Sequence, residues 1–422
     1  MARRGWHTEG MEITLIRHAQ SEANAVGLWS GQGDTSLTEL GVSQATRLAE
    51  RVEAKPFDLV ISSPLERAHA TAKAFATEIE IEPDFQEIGI GIWDRLTREQ
   101  VAERFPDEYQ ALMAGEDVRF GGQETLTEFD ARVQGAWERL LARLDQGDRV
   151  AVVAHGGTVM AVLRALLGLR RRYGQGLGQI ENSSLAVINF PGWRDAELAA
   201  FNDATHLAPL GGWASQRLAD GDTILTLIRH GETVANLDQR WQGRTDGELT
   251  AHGHSQAEAL ADWYGGLDVL YSSPLQRARH TAQALAGRLG LAVDEHAGLI
   301  EMHMGAWEDL TTDQIRNGFP ELWQRIFDRN EDLPRGGSGE AFGEVAARMQ
   351  AALAELARRH AGARVGVVTH AGAVQAYLVE VIGMEHGLRN RLAFVENTAV
   401  SHVVVSETGA RLADFNVAPH LG

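Results

Sequence analysis

The sequence predicts two tandem α/β domains, each a three-layer unit with a mostly parallel sheet and helices on both faces. Three observations carry this reading. Short, β-branched apolar runs alternate with longer stretches that place Ala and Leu at helical spacing. The apolar runs show almost no polar alternation, which suits strands buried on both faces of a parallel sheet. The whole pattern then occurs a second time, in the same order, at an offset between 210 and 216 residues.

In the first half, EITLIRH, DLVISS and RVAVVAH read as strands. TELGVSQATRLAERV and SPLERAHATAKAFATEI, between them, read as helices. Ser-Pro ahead of the second helix is a start signal, with Ser63 as N-cap and Pro64 at the first helical position, and Ser273 and Pro274 repeat it. The echo extends through the chain. LIRHAQSEAN at 15–24 matches LIRHGETVAN at 227–236, and GQGDTSLTELG at 31–41 matches GRTDGELTAHG at 243–253. DLVISSPLERAHATA, QEIGIGIWDRLT, RVAVVAHGG, ENSSLAVINF and FNDATHL all recur as well. A period this long is a duplicated domain rather than a solenoid. The expected organisation is a tail at 1–10, a first domain at 11–208, a Gly-rich linker at 209–221 and a second domain at 222–422.

Composition narrows the function. The chain has 422 residues, a net charge of −19 and no cysteine. Without cysteine there is no disulfide, zinc-thiolate site or thiol nucleophile. No apolar run approaches the roughly 20 residues that span a bilayer. MARRGWHTEGM lacks the apolar core of a secretory signal, so a cytoplasmic location is expected and no membrane partner. The acidic charge argues against nucleic-acid partners and repels small phosphates at long range. Any anion site must therefore be a local gathering of Arg. Lysine occurs only at Lys55 and Lys73; Arg suits phosphate, although a GC-rich genome gives the same bias and is the favoured explanation.

Open α/β sheets bind ligands beyond the carboxyl ends of their strands, and His18, His155, His230 and His370 each follow an apolar run. A neutral imidazole nitrogen is a competent nucleophile toward phosphorus. Its anionic target must be neutralised, which Arg17 beside His18 can do with bidentate hydrogen bonds. Arg67 lies just inside a helix that points to the same sheet edge. Glu87 can protonate a departing alkoxide and then activate water. Each residue alone has an ordinary reading: a structural His, a solvated Arg, a loop acid, a turn. The set Arg-His, Arg, Glu, His survives in one order in both halves while many neighbours differ, and that argues for chemistry.

These motifs resemble the histidine phosphatase superfamily, the group with the cofactor-dependent phosphoglycerate mutases and many small-molecule phosphatases, over 11–208 and 222–422. The Arg-His-Gly motif falls on Arg17-His18-Ala19 and Arg229-His230-Gly231, the second Arg on Arg67 and Arg277, the acid/base Glu on Glu87 and Glu301, and the second His on His155 and His370. Phosphate-side contacts match Ser21, Asn24 and Gly31, and Thr233, Asn236 and Gly243. The resemblance implies hydrolysis of small phosphorylated metabolites through a phosphohistidine on His18 or His230, with no metal and no cofactor.

Two alternatives follow from the same residues. One is a phosphoglycerate mutase, which retains its phosphorylated intermediate under extra segments between the Glu and the second His; here those residues are only 68 and 69 positions apart. The other is that one half is an idle phospho-ligand-binding module. The halves also differ near the expected pocket, at Ala19 and Gly231, Gly156 and Ala371, and Gln32 and Arg244. Were the position after the nucleophile to need positive φ, Ala19 would be strained by roughly 1–2 kcal/mol.

Overall fold

The computed structural model describes residues 10–169, 176–191 and 196–421. The tail expected at 1–10 lies, apart from Gly10, outside them. The described residues divide into two compact units, 10–169 with 179–208, and 209–421 with the short segment 176–178.

In the first unit the strands run in the order Glu197–Asp203, Leu185–Phe190, Met11–Arg17, Arg149–Ala154, Leu59–Ser62, Glu80–Ile81. The first two junctions are antiparallel and the remaining three parallel. The sheet is thus mostly parallel, as the unbroken apolar runs predict. Ile16, Ala151 and Val153 pack against Leu48 and Val52 of helix Glu39–Glu53 and against Ala68 and Ala72 of helix Glu66–Lys73. Leu15 and Val152, which point the other way, are equally buried. On that side helix Gly156–Leu167 lies against Met11–Arg17 and packs on helix Leu126–Leu141. Burial on both faces explains why the strands need no polar alternation.

The second unit repeats this plan, in the order Gly409–Val417, Val400–Ser406, Thr223–Arg229, Arg364–Thr369, Val269–Ser272, Val293–Glu295. Gly176–Leu177 pairs in parallel with Gly409–Val417. The stretch expected as a linker holds a helix, Gly212–Ala219, whose Ala214, Trp213 and Leu218 pack on Ile224, Val404 and Ala413.

Two local expectations are corrected. The second helix of each half begins at Glu66 and at Gln276, with Leu65 and Leu275 at the N-cap position, so neither Ser63 nor Ser273 caps it. The first exposed N–H is held from the neighbouring loop instead: Glu66 N donates to Asp34 Oδ1 at 2.8 Å, and Gln276 N to Asp246 Oδ1 at 2.9 Å. The helix in the first half also ends at Lys73, whereas its counterpart continues to Leu289 and stops on Gly290 at φ +69°. The first half carries no such glycine stop signal and ends its helix six residues before the expected Ile79.

Candidate functional site

Register brings the two histidines of each half together. Arg17 pairs with Ala154 across parallel strands, and Arg229 with Thr369. The next residues, His18 and His155 or His230 and His370, therefore leave adjacent strands at one level. Their ring centroids are 5.1 and 5.2 Å apart.

The hydrogen bonds of His18 select its tautomer. Nδ1 lies 2.7 Å from the carbonyl of Ala19, which can only accept, so Nδ1 carries the proton. Nε2 then accepts from Arg67 Nε at 3.2 Å. His230 is arranged identically, with Gly231 O at 2.7 Å and Arg277 Nε at 3.2 Å. Burial, then Arg17 and Arg67, hold the His18 pKa well below that of an ordinary imidazole. For His230 the causes are burial, then Arg277 and Arg229. At neutral pH each ring is neutral, with its lone pair on the nitrogen that faces a guanidinium.

The guanidinium groups are rigidly held. Arg67 is buried and donates from Nη2 to Gly31 O at 2.7 Å and from Nη1 to Gly33 O at 2.8 Å. Arg277 does the same to Gly243 O at 2.7 Å and Thr245 O at 2.9 Å. Gly31 and Gly243 thus act through their carbonyls, as seats for the second Arg. A side chain at 31 would bring its Cβ within 2.5 Å of Ile88 O, and Gly243 sits at φ +56°. Arg17 and Arg229 each donate one Nη1 hydrogen bond, Arg17 to Ile180 O and Arg229, at 2.7 Å, to Val395 O. Their Nε groups are buried without a partner. Burial lowers the Arg229 pKa to about 10, which leaves it a cation at neutral pH.

His155 and His370 are fully buried. Their Nε2 atoms meet Ser63 Oγ at 2.8 Å and Ser273 Oγ at 2.7 Å, and their Nδ1 atoms have no partner. This is what Ser63 and Ser273 do in place of capping. Burial and then Arg67, or burial and then Arg277, keep both rings neutral well below the ordinary pKa.

Glu87 is seated on backbone amides. Ile88 N donates to Oε1 at 2.9 Å and Gly157 N to Oε2 at 2.9 Å. Glu301 accepts from Met302 N at 2.8 Å, Ala373 N at 3.0 Å and Gly372 N at 3.2 Å. The carboxylates therefore sit at the N-termini of the helices that follow the second histidines. A Cβ at Gly157 would lie 2.1 Å from Glu87 Oε1, and one at Gly372 2.8 Å from Glu301 Oε1. The residue one step earlier varies between Gly156 and Ala371 because a Cβ there meets nothing closer than Arg17 Nε at 3.7 Å.

Ser21 and Thr233 are buried N-caps of one-turn helices and form capping boxes with Asn24 and Asn236. They shape the loop beside the nucleophile. Neither Ala19 nor Gly231 is among the residues with positive φ, so the strain considered for Ala19 does not arise. Gly231 answers to space instead, since a Cβ there would stand 2.5 Å from Gly253 O.

Sequence reasoning missed three supports. Asn182 Nδ2 donates to His18 O at 2.9 Å and to Asn24 Oδ1 at 3.1 Å; Asn397 repeats this on His230 O and Asn236 Oδ1. Arg132 pairs with Glu124 at 2.9 Å and donates to the carbonyls of Asp84, Gln86 and Glu87, bracing the loop that carries Glu87. Arg348 and Glu340 pair at 3.1 Å in the second half. The signal was present in both copies, as Glu-Asn-Ser and Glu-Asn-Thr and as an acid eight residues before an Arg. Among the described residues no group of three or more His, Asp or Glu side chains is placed to hold a metal ion, and no helix is long and apolar enough to cross a membrane.

A buried neutral histidine acted on by two guanidinium groups and facing a second buried histidine is an arrangement suited to phosphoryl chemistry. The sequence profile of the histidine phosphatase superfamily (branch 1) matches residues 13–204 and again 225–418, and the chain belongs to that family, in two tandem domains. It is 36% identical over 163 residues to a metal-independent phosphoserine phosphatase of Arabidopsis thaliana, covering 38% of this chain and 68% of that one. It is 33% identical over 202 residues to phosphoserine phosphatase 1 of Hydrogenobacter thermophilus, covering 47% and 94%. It is 34% identical over 179 residues to a probable phosphoglycerate mutase of Klebsiella pneumoniae, covering 42% and 82%. These relatives support a phosphatase of the histidine phosphatase type.

Proposed function

We propose that the chain is a metal-independent phosphomonoesterase with one working site in each half. His18 Nε2, or His230 Nε2, attacks the phosphorus of a small phosphorylated metabolite as the ester P–O bond breaks. Glu87 or Glu301 gives its proton to the leaving oxygen. Water then attacks the phosphohistidine, returns a proton to the Glu and releases phosphate, which restores the free histidine. Arg17, Arg67 and His155, or Arg229, Arg277 and His370, hold the phosphoryl oxygens. Ser21, Asn24 and Gly31, with Thr233, Asn236 and Gly243, keep the surrounding loop in place.

The observation that supports this most is the set of buried, unpartnered nitrogens, Arg17 Nε with His155 Nδ1 and Arg229 Nε with His370 Nδ1, in each half beside a nucleophile whose tautomer is already selected. Such groups are costly to leave unpaired unless a ligand completes them. Metal independence draws support from the paired guanidinium groups, Arg17 with Arg67 and Arg229 with Arg277, and from the named Arabidopsis relative.

The test is phosphate release from an aryl phosphate in EDTA by four full-length proteins: the parent, His18→Ala, His230→Ala and the double variant. Each single variant should keep part of the activity, the double variant none, and a labelled donor should mark both histidines in the parent. Loss of all turnover in EDTA, restored by Mg²⁺, sinks the mechanism. A His18→Ala protein unchanged in rate and labelling makes the first half an idle module. Conversion of 3-phosphoglycerate to 2-phosphoglycerate faster than its hydrolysis favours a mutase.

A further inference from the structure

The two sites share their buried machinery but not their rims. One residue past Gly31, Gln32 donates from Nε2 to the carbonyl of Glu87 at 3.3 Å. One residue past Gly243, Arg244 donates from Nε to the carbonyl of Glu301 at 3.4 Å. The two side chains occupy the same place, between the seat of the second Arg and the backbone of the acid. In the first half the place is neutral, and Gln123 closes it by donating to Gln32 Oε1 at 2.9 Å. In the second half the residue ahead of the bracing glutamate is Gly339, whose Cβ would stand 2.2 Å from His303 O, so no counterpart of the Gln123 side chain is present there.

The charges facing Arg244 do not cancel it. Its Nη2 pairs with Glu340 at 3.0 Å, but Glu340 also pairs with Arg348 at 3.1 Å. Two guanidinium groups thus share one carboxylate, where the first half has Arg132 and Glu124 alone. Glu308, which accepts from Arg244 N at 3.0 Å and lies 3.7 Å from His303 Nε2, has an acidic counterpart in Asp94, which accepts from Gly31 N at 3.1 Å. That acid is common to both rims and leaves the difference standing. Arg244 Nη1 makes no hydrogen bond among the described residues, and the side chain is 36% exposed. Arg277, in contrast, is buried against the nucleophile, donating from Nε to His230 Nε2 at 3.2 Å, and Arg229 is half-buried with its Nε buried.

We infer that Arg244 makes the second site selective for phosphomonoesters that carry a further anionic group on the leaving alcohol, while the first site, with Gln32, lacks this preference. The inference rests on the two-site reading above. The guanidinium stands at the backbone of Glu301, the residue that meets the leaving oxygen in that reading, so it faces the alcohol portion of the substrate rather than the transferred phosphoryl group.

The probes are 3-phosphoglycerate and glycerol 3-phosphate, which differ in one carboxylate against one hydroxymethyl group. Full-length His18→Ala reports the second site and His230→Ala the first. The ratio of kcat/KM for the carboxylate ester over the neutral ester should be at least about tenfold higher at the second site, the size of one charge-assisted hydrogen bond. Arg244→Gln in the His18→Ala protein should lower that ratio about tenfold, chiefly through KM for 3-phosphoglycerate, and Arg244→Lys should restore part of it. Gln32→Arg in the His230→Ala protein should raise its ratio, which gives a gain of function that misfolding does not imitate. Equal ratios at the two sites, unmoved by either exchange, overturn the inference. If neither single-site protein releases phosphate from either ester, the two-site reading itself has failed, and that is seen before any ratio is formed.

Discussion

Replacing Gly157 with Ala, in a protein whose second nucleophile is removed by His230→Ala, asks whether the seat of Glu87 governs protonation of the leaving group. A Cβ at 157 would lie 2.1 Å from Glu87 Oε1 and 3.0 Å from the carboxyl carbon. The carboxyl must move, and the bond that Gly157 N donates to Oε2 at 2.9 Å goes with it. A positioned general acid contributes about 10²–10⁴-fold, so a carboxyl pushed off its position should lower kcat by about ten- to hundredfold. The backbone is not the cause, because residue 157 lies in helix Gly156–Leu167, where Ala is preferred to Gly. The loss should appear on alkyl phosphates, whose leaving oxygen needs a proton, and be much smaller on p-nitrophenyl phosphate. Gly156→Ala is the control, since its Cβ meets nothing closer than 3.7 Å. In the His18→Ala protein, Gly372→Ala should give a milder version, because its clash is 2.8 Å. Phosphate release over time on both ester types is the assay. Equal losses on alkyl and aryl esters, or a loss in Gly156→Ala as large as in Gly157→Ala, refute the reasoning.

Three further outcomes are expected. In the free protein at pH 6, His18 and His230 should both be neutral with the proton on Nδ1, because a lowered pKa moves protonation to more acidic pH; imidazolium nitrogen shifts at that pH, read by NMR, count against it. The same lowering at His18, His155, His230 and His370 means the unfolded chain binds more protons below about pH 6.5, so the urea midpoint should fall as the pH drops from there, and a flat midpoint contradicts this. Tyr264→Phe should destabilise the second unit by about 1–3 kcal/mol, since it leaves buried His402 Nε2, now 2.7 Å from the Tyr264 hydroxyl, without a partner; urea unfolding that matches the parent would contradict it.

The sequence by itself determined the duplication, the fold class and the identity of the residues that converge. Arg17 and Ala154 end apolar runs, and parallel strands buried on both faces tolerate little slippage, so His18 and His155 were bound to emerge together. The acid eight residues before an Arg, and the repeated Glu-Asn, were equally visible, but nothing local told which carbonyls they would meet. What the tertiary structure alone decided was the direction of each hydrogen bond. Ser63 reads as a helix cap until His155, 92 positions away, comes within 2.8 Å of its hydroxyl. Gly31 reads as a phosphate contact until Arg67 is seen bound to its carbonyl. Gly157 carries no local mark of its role; the Glu87 carboxyl, 70 positions away, fills the space where its side chain would stand. Local sequence sets which backbone shapes and charges are available. Partners far along the chain, brought in by packing, settle which lone pair faces which proton, and the candidate chemistry of this site lies in that choice.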